Sequence, residues 1–256
     1  MNAINTVWNL LLTRPYSNGG GEHSGRVAEP GAPDYYEVAA QRTATRLLSG
    51  ALDDPAGATW AVEIALAHSD TLARQPGAQA PSVGARWRIN FSRVERCGEV
   101  NWTWQPQTVW EPSKRRYQGM VNMHLPDAWG FVEFGEEGLR VQEAGQNFPV
   151  AAAPEDAAHD AAFRLYYAQH AYREAKGSFA PSVEALSDYI NEAALAPCAL
   201  TISTDADDMA AAMGSGGEAQ GASAEPKAFV ATATHLDGAS VSVRHDRLVV
   251  SRRVPS

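Results

Sequence analysis

Apolar and polar positions alternate in several short stretches of the first half of the chain. In Thr59-Trp60-Ala61-Val62-Glu63-Ile64-Ala65-Leu66 the large side chains recur every second residue, which puts Trp60, Val62, Ile64 and Leu66 on one face of a sheet. Trp87 to Ser92 repeats the pattern, with Trp87, Ile89 and Phe91 predicted inward and Arg88, Asn90 and Ser92 outward. Asn101 to Trp104 and Trp129 to Phe134 are two further strands, the second ended by Gly135. Asp53-Asp54-Pro55-Ala56-Gly57 supplies a turn before the first of them. Short strands separated by turns predict a mainly β fold, an antiparallel β-sandwich, over residues 1 to 148.

The period then changes. After an Ala/Pro stretch over 149–154, a helix is predicted from Glu155 to Lys176, with acidic residues in its first turn and Lys176-Gly177 at its end. Ala158, Ala161, Ala162, Leu165, Ala168 and Tyr172 make its apolar stripe, widened by Phe163, Tyr166 and Tyr167. A shorter helix is expected over Val183 to Tyr189, and a mobile loop over the small, polar residues 205–226. Strand character returns over 229–235, 241–244 and 247–250, with Asp237-Gly238 as a hairpin turn. Residues 149 to 256 are therefore expected to form a small α+β extension, a helix plus a β-meander.

Composition narrows the function classes. Hydrophobic residues make up 45% of the 256, but 45 residues are alanine, so the large apolar side chains are fewer than that figure suggests. A net charge of −9 argues against a general nucleic-acid binder, and the longest basic cluster is Lys114-Arg115-Arg116. No apolar run reaches the ~18 residues of a membrane span. Cys97 and Cys198 are too few for a disulfide framework or a four-cysteine zinc site, and whether they pair is open. His68 with Asp70, His159 with Asp160, and His245 with Asp246 are sequence neighbours rather than ligand pairs on one helical face, so no metal site is assigned. No nucleophile elbow, phosphate loop or dinucleotide fingerprint is present, and no catalytic residue is assigned. The opening Met1 to Leu12 has no basic lead-in and no small-residue cleavage site, so it does not read as a secretory signal.

A series of segments carries a family resemblance. They are Asn2 to Trp8, Arg14-Pro15-Tyr16 with Gly19-Gly20, Gly50 to Pro55, Trp60 to Ala65, Trp87 to Arg93, Trp104-Gln105-Pro106 and His124 to Gly130. In order and spacing, over residues 1 to about 136, the series resembles the family 9-like branch of carbohydrate-binding domains, related to DOMON domains. The resemblance implies an immunoglobulin-like β-sandwich, non-catalytic carbohydrate binding and association with polysaccharide breakdown. It further implies that the family's first strands precede Met1, so the chain is expected to be truncated at its front. The sheet would then be completed by a partner or by the missing segment. Members are commonly extracellular or periplasmic. Tyr166 to Tyr172 and Gly177 to Pro181 look like an extension often attached to such domains.

Sugar-binding modules use indole faces because pyranose C–H groups stack on a π surface while nearby polar groups fix the hydroxyls. The chain has seven tryptophans. Trp60 and Trp87 sit in alternating strands and are assigned to packing. Trp104 and Trp110 flank Gln105-Pro106-Gln107 in loop-like sequence and are candidates for ligand contact, together with Arg115, Asn122 and His124. Sugar-binding members of the family hold the sugar between two rings. One of these comes from the missing strands, and the positions matching the other carry Met123 and His124. The alternatives are a haem-binding electron-transfer domain, suggested by Met120, Met123 and His124, and an interaction domain without a small ligand. No cofactor is assigned. Structural calcium is the alternative reading of the acidic turns at Asp53-Asp54, Glu136-Glu137 and Asp205 to Asp208, which otherwise read as solvated.

Overall fold

The computed structural model describes residues 2–7, 9–11, 24–25, 36–52, 54, 56–73, 77–95, 100–105, 108–120, 126–135, 153–213 and 227–253. The chain forms two compact units, Met1–Ala85 and Arg86–Ser256. The sequence places a boundary near residue 148, but the strands that follow Ala85 belong to the same compact unit as the helix and meander.

In the first unit β1 (Leu10–Leu11) and β2 (Ser24–Gly25) form a two-residue ladder, and β3 (Arg42–Gly50) pairs antiparallel with β4 (Ala58–Ala65). The short helix α1 (His68–Leu72) follows. The β3–β4 turn closes locally: the Ala56 amide donates to Asp54 Oδ1 at 2.8 Å and the Gly57 amide to the Asp54 carbonyl at 2.8 Å. Register places Thr43, Thr45 and Leu47 opposite Ile64, Val62 and Trp60, so the predicted apolar face does form. It is not covered. Val62 and Ile64 remain 43% and 54% exposed, and Leu47 and Leu66 are exposed as well.

The second unit runs β5 (Arg86–Ile89), β6 (Ser92–Glu95), β7 (Val100–Thr103), β8 (Thr108–Glu111), β9 (Arg116–Met120), β10 (Gly130–Glu133), α2 (Pro154–Lys176), β11 (Cys198–Ser203), α3 (Ala206–Met213), β12 (Val230–His235), β13 (Ala239–Arg244) and β14 (Val249–Arg253). β5 pairs with β10, β6 with β7 and β8 with β9, each as a two-stranded antiparallel ladder. β11 to β14 form a four-stranded antiparallel meander in chain order. The class is mainly β, in antiparallel sheets with few helices. Among the described residues no helix is long and apolar enough to cross a membrane.

The core lies between α2 and the meander. Ala158, Ala161, Ala162, Leu165, Tyr166 and Ala168 bury the predicted helix face against Ala231, Ala233, Val241 and Val243 of β12 and β13. Alanines on both surfaces let helix and sheet approach closely, and Phe163, Phe179 and Phe229 fill the ends. Gly177 closes the helix in the left-handed conformation (φ 88°), its amide donating to the Arg173 carbonyl at 2.8 Å. Gln169, fully buried, clamps the following loop: its Nε2 donates to the Ala180 carbonyl at 2.9 Å and its Oε1 accepts from the Ala180 amide at 2.8 Å.

Four expectations are corrected. Arg88 is not outward; it faces α2. Its Nη1 donates to the carbonyls of Asp127 (2.7 Å) and Trp129 (3.1 Å), and its Nη2 donates to His159 Nδ1 (2.9 Å) and Asp160 Oδ1 (3.3 Å). Phe91 is not inward, because the chain leaves the β5–β10 ladder at Asn90 and joins the β6–β7 ladder. The helix expected over Val183 to Tyr189 is a single 3-10 turn, Glu184–Leu186. The loop expected over 205–226 begins instead as α3, because the Asp205 carboxylate accepts the amides of Asp207 (2.9 Å) and Asp208 (3.4 Å) as an N-cap. Residues 214–226 lie outside the described residues.

Candidate functional site

Three large aromatic side chains stand exposed on one face of the β6–β7 hairpin. Arg93 lies opposite Trp102 in register, and the Trp104 amide donates to the Phe91 carbonyl at 2.8 Å, which extends the ladder by one pair. Alternation along each strand therefore puts Phe91, Arg93, Trp102 and Trp104 on the same side. Phe91, Trp102 and Trp104 are 60%, 63% and 52% exposed. The Phe91 and Trp104 rings lie 5.7 Å apart at a tilt of 59°.

The platform is braced from below. Trp104 rests on Gly130 of β10: a Cβ built at Gly130 would stand 2.9 Å from Trp104 Cζ3, so only glycine admits the indole at this distance. Asn90 Oδ1 accepts the Gln105 amide at 3.2 Å, and the Thr103 hydroxyl donates to the Gln105 carbonyl at 2.9 Å. These bonds fix the bend after Trp104. On the same side of the β5–β10 ladder as Gly130, Trp87 meets Phe134 edge-on at 5.0 Å.

The opposite side of that ladder is held to α2 by charge. The Phe131 ring lies under two guanidinium groups, Arg86 at 4.6 Å and Arg88 at 4.3 Å. Arg86 pairs with Asp156 in the first turn of α2. Asp127, in the 3-10 turn Pro126–Ala128, pairs with Arg247, and both side chains are nearly inaccessible. The Tyr167 hydroxyl donates to Asp127 Oδ2 at 2.5 Å, and the rings of Phe163, Tyr166 and Tyr167 surround the Arg247 guanidinium at 5.1 to 5.5 Å. Burial pushes the Tyr167 phenol well above its ordinary range, and the adjacent Asp127 carboxylate adds to this.

Of the sequence-predicted site residues, the described ones, Trp104, Trp110 and Arg115, do not gather in one place. Trp104 lies on the aromatic platform. Trp110, half-buried on β8, donates from Nε1 to the Asp188 carbonyl at 3.0 Å and meets Tyr117 edge-on at 5.2 Å. Arg115, at φ 48° in the β8–β9 turn, pairs with the Asp188 carboxylate at 3.7 Å. Trp110 and Arg115 thus both reach the Asp188 segment instead of the face that carries Trp104. Asn122, Met123 and His124 lie outside the described residues, as does Cys97. Cys198 is half-buried at the start of β11, and burial pushes its thiol up.

Sequence reasoning missed Phe91 and Trp102 as surface groups. Phe91 continues the inward phase of Trp87 and Ile89, and nothing in a period of two announces that Asn90 is a change of ladder. Among the described residues no three His, Cys, Asp or Glu side chains converge as a metal site. Comparison with protein-family models, with curated proteins and with solved structures finds no match to this chain.

Proposed function

We propose that the chain is a non-catalytic carbohydrate-binding module of the family 9-like type, and that Phe91, Trp102 and Trp104 form its saccharide platform. The observation that carries this reading is the exposure of all three rings on one hairpin face. Aromatic rings left in water at this density mark a binding surface, and pyranose rings stack on them through their C–H faces. A net charge of −9 favours a neutral saccharide over a polyanion. On the same reading the two-stranded ladders are ribbons of an antiparallel sandwich. The exposed Val62–Ile64 face is then the side on which a further strand segment or partner completes the layer.

Affinity electrophoresis through gels containing xylan, mannan or mixed-linkage β-glucan tests it, with tryptophan emission followed in parallel. Retardation by at least one polysaccharide is expected, together with a change in emission. Trp102→Ala combined with Trp104→Ala should weaken binding at least about tenfold while the far-UV circular dichroism is kept. Free mobility in every gel with unchanged emission would overturn the reading.

A further inference from the structure

We infer that His170 and His245, set around the Phe229 ring, form an acid-sensitive latch between α2 and the meander. His170 projects from the C-terminal half of α2 into an aromatic enclosure. Its ring lies 4.5 Å from Tyr166 on its own helix, 5.6 Å from Phe179 in the segment after the helix, and 5.9 Å from Phe229 before β12. Phe179 and Phe229 themselves meet edge-on at 4.7 Å. His245, just after β13, approaches Phe229 to 6.4 Å, and its amide donates to the Phe229 carbonyl at 3.0 Å. Phe229 is fully buried. His170 Nε2 and His245 Nδ1 are both buried without a hydrogen-bond partner.

The charged groups around the pair decide the sign. From α2, Arg173 lies over the Phe179 ring at 4.8 Å, and from the turn after β13, Arg247 lies over Tyr166 at 5.1 Å. Arg244 and Asp246 flank His245 and pair with each other at 2.6 Å, while Asp127 pairs with Arg247 from the far side. The anions on this side are therefore already engaged by guanidinium groups. A proton on either imidazole would add a cation beside Arg173 and Arg247, against which the backbone at His245 and Phe229 offers only a partial offset. Burial holds His170 down to about 4, outweighing the His245 backbone that favours the charged ring and helped by Arg173 and Arg247, and burial likewise lowers His245 against the opposing charge of Asp246.

A histidine whose folded value is depressed stays neutral in the core and takes up its proton on opening. Stability is complete above the unfolded value near 6.5 and falls as pH drops toward about 4. Over that interval the opening equilibrium rises by up to about tenfold per pH unit through His170, and His245 adds in the same direction. The latch is independent of the saccharide reading, since it shares no residue with the aromatic platform.

Urea unfolding of the full chain, followed at 222 nm between about pH 7.5 and 5, reads the effect above the range where ordinary carboxylates titrate. The wild-type chain should lose stability steadily across this range, and amide protection in α2, β12 and β13 should fall with it. His170→Phe combined with His245→Gln should flatten the dependence, because phenylalanine suits the aromatic enclosure and glutamine does not titrate. An unchanged slope in the double variant, or a flat wild-type profile, would overturn the latch. Should the double variant fail to fold, a ring-carbon NMR titration of the wild-type chain decides: a His170 midpoint below about 5.5 supports the latch and one above it rejects it.

Discussion

The β12–β13 pair and the β3–β4 hairpin are built from similar alternating sequence and end in opposite states. In the first, Ala231, Ala233, Val241 and Val243 are closed from water by the alanine face of α2. In the second, Val62 and Ile64 occupy an equally regular face and stay about half in solvent. Each pair keeps an antiparallel register, although β12 and β13 are interior strands of a four-stranded sheet and β3–β4 is a two-stranded ladder. The difference is a second layer. Alternation decides which side of a strand is apolar, but burial needs a counter-surface of matching shape, and among the described residues α2 supplies it for β12 and β13.

The contrast is sharpest at the buried charges, which among the described residues lie in the closed region. Asp127→Asn keeps the shape of the side chain but leaves Arg247 as an uncompensated cation among Phe163, Tyr166 and Tyr167. The expected cost is about 3–5 kcal/mol, read as a shift in urea midpoint at constant slope. Neutralising an exposed pair such as Arg115–Asp188 should cost less than about 1 kcal/mol. A small effect at Asp127 would mean that the turn Pro126–Ala128 does not stay docked on α2.

Apolar truncation gives the next largest difference. Leu165 is completely buried, and Leu165→Ala should cost about 2–5 kcal/mol through lost contacts and a residual cavity. Ile64→Ala, on the open face, should change stability by no more than about 0.5 kcal/mol. Equal losses at the two sites would show that the hairpin face is covered in solution, for example by self-association. Sedimentation of the Ile64 variant against the wild-type chain would reveal that.

Local pattern carried the helix and much of the meander. The stripe from Ala158 to Ala168, the Gly177 stop and the Asp237-Gly238 turn all stand where spacing and cap chemistry put them. β8 and β9 escaped notice because Thr108-Val109-Trp110-Glu111 and Arg116-Tyr117-Gln118-Gly119-Met120 are short or weakly alternating; β3 and β11 did so too, although Cys198, Leu200 and Ile202 alternate with Ala199, Thr201 and Ser203. They are strands because of what they pair with. The same holds for the site. Indole chemistry singles out Trp104 and Trp110 alike from sequence, but the partition between Trp104 on a surface and Trp110 against Asp188 is a tertiary fact. Arg88 shows the limit most plainly: its alternation phase says solvent, whereas its acceptors on His159, Asp160, Asp127 and Trp129 lie about 40 to 70 residues away.

α3 offers the smallest effect and the finest test of where the closed region ends. Its sequence, Ala206-Asp207-Asp208-Met209-Ala210-Ala211-Ala212-Met213, is intrinsically helical, yet eight residues are too few to hold a helix in water unaided. Three things support it: the Asp205 cap, burial of Met213, and a bond from Arg252 Nη1 to the Ala211 carbonyl at 3.1 Å that secures the other end. Asp205→Ala removes only the first and should cost about 1 kcal/mol. Amide exchange tells what kind of kilocalorie that is. If protection falls at 207–209 alone, α3 frays independently and the meander stays closed without it. If β12 and β13 lose protection in step, α3 is a working second cover of the sheet, and its docking counts in the same cooperative unit as α2.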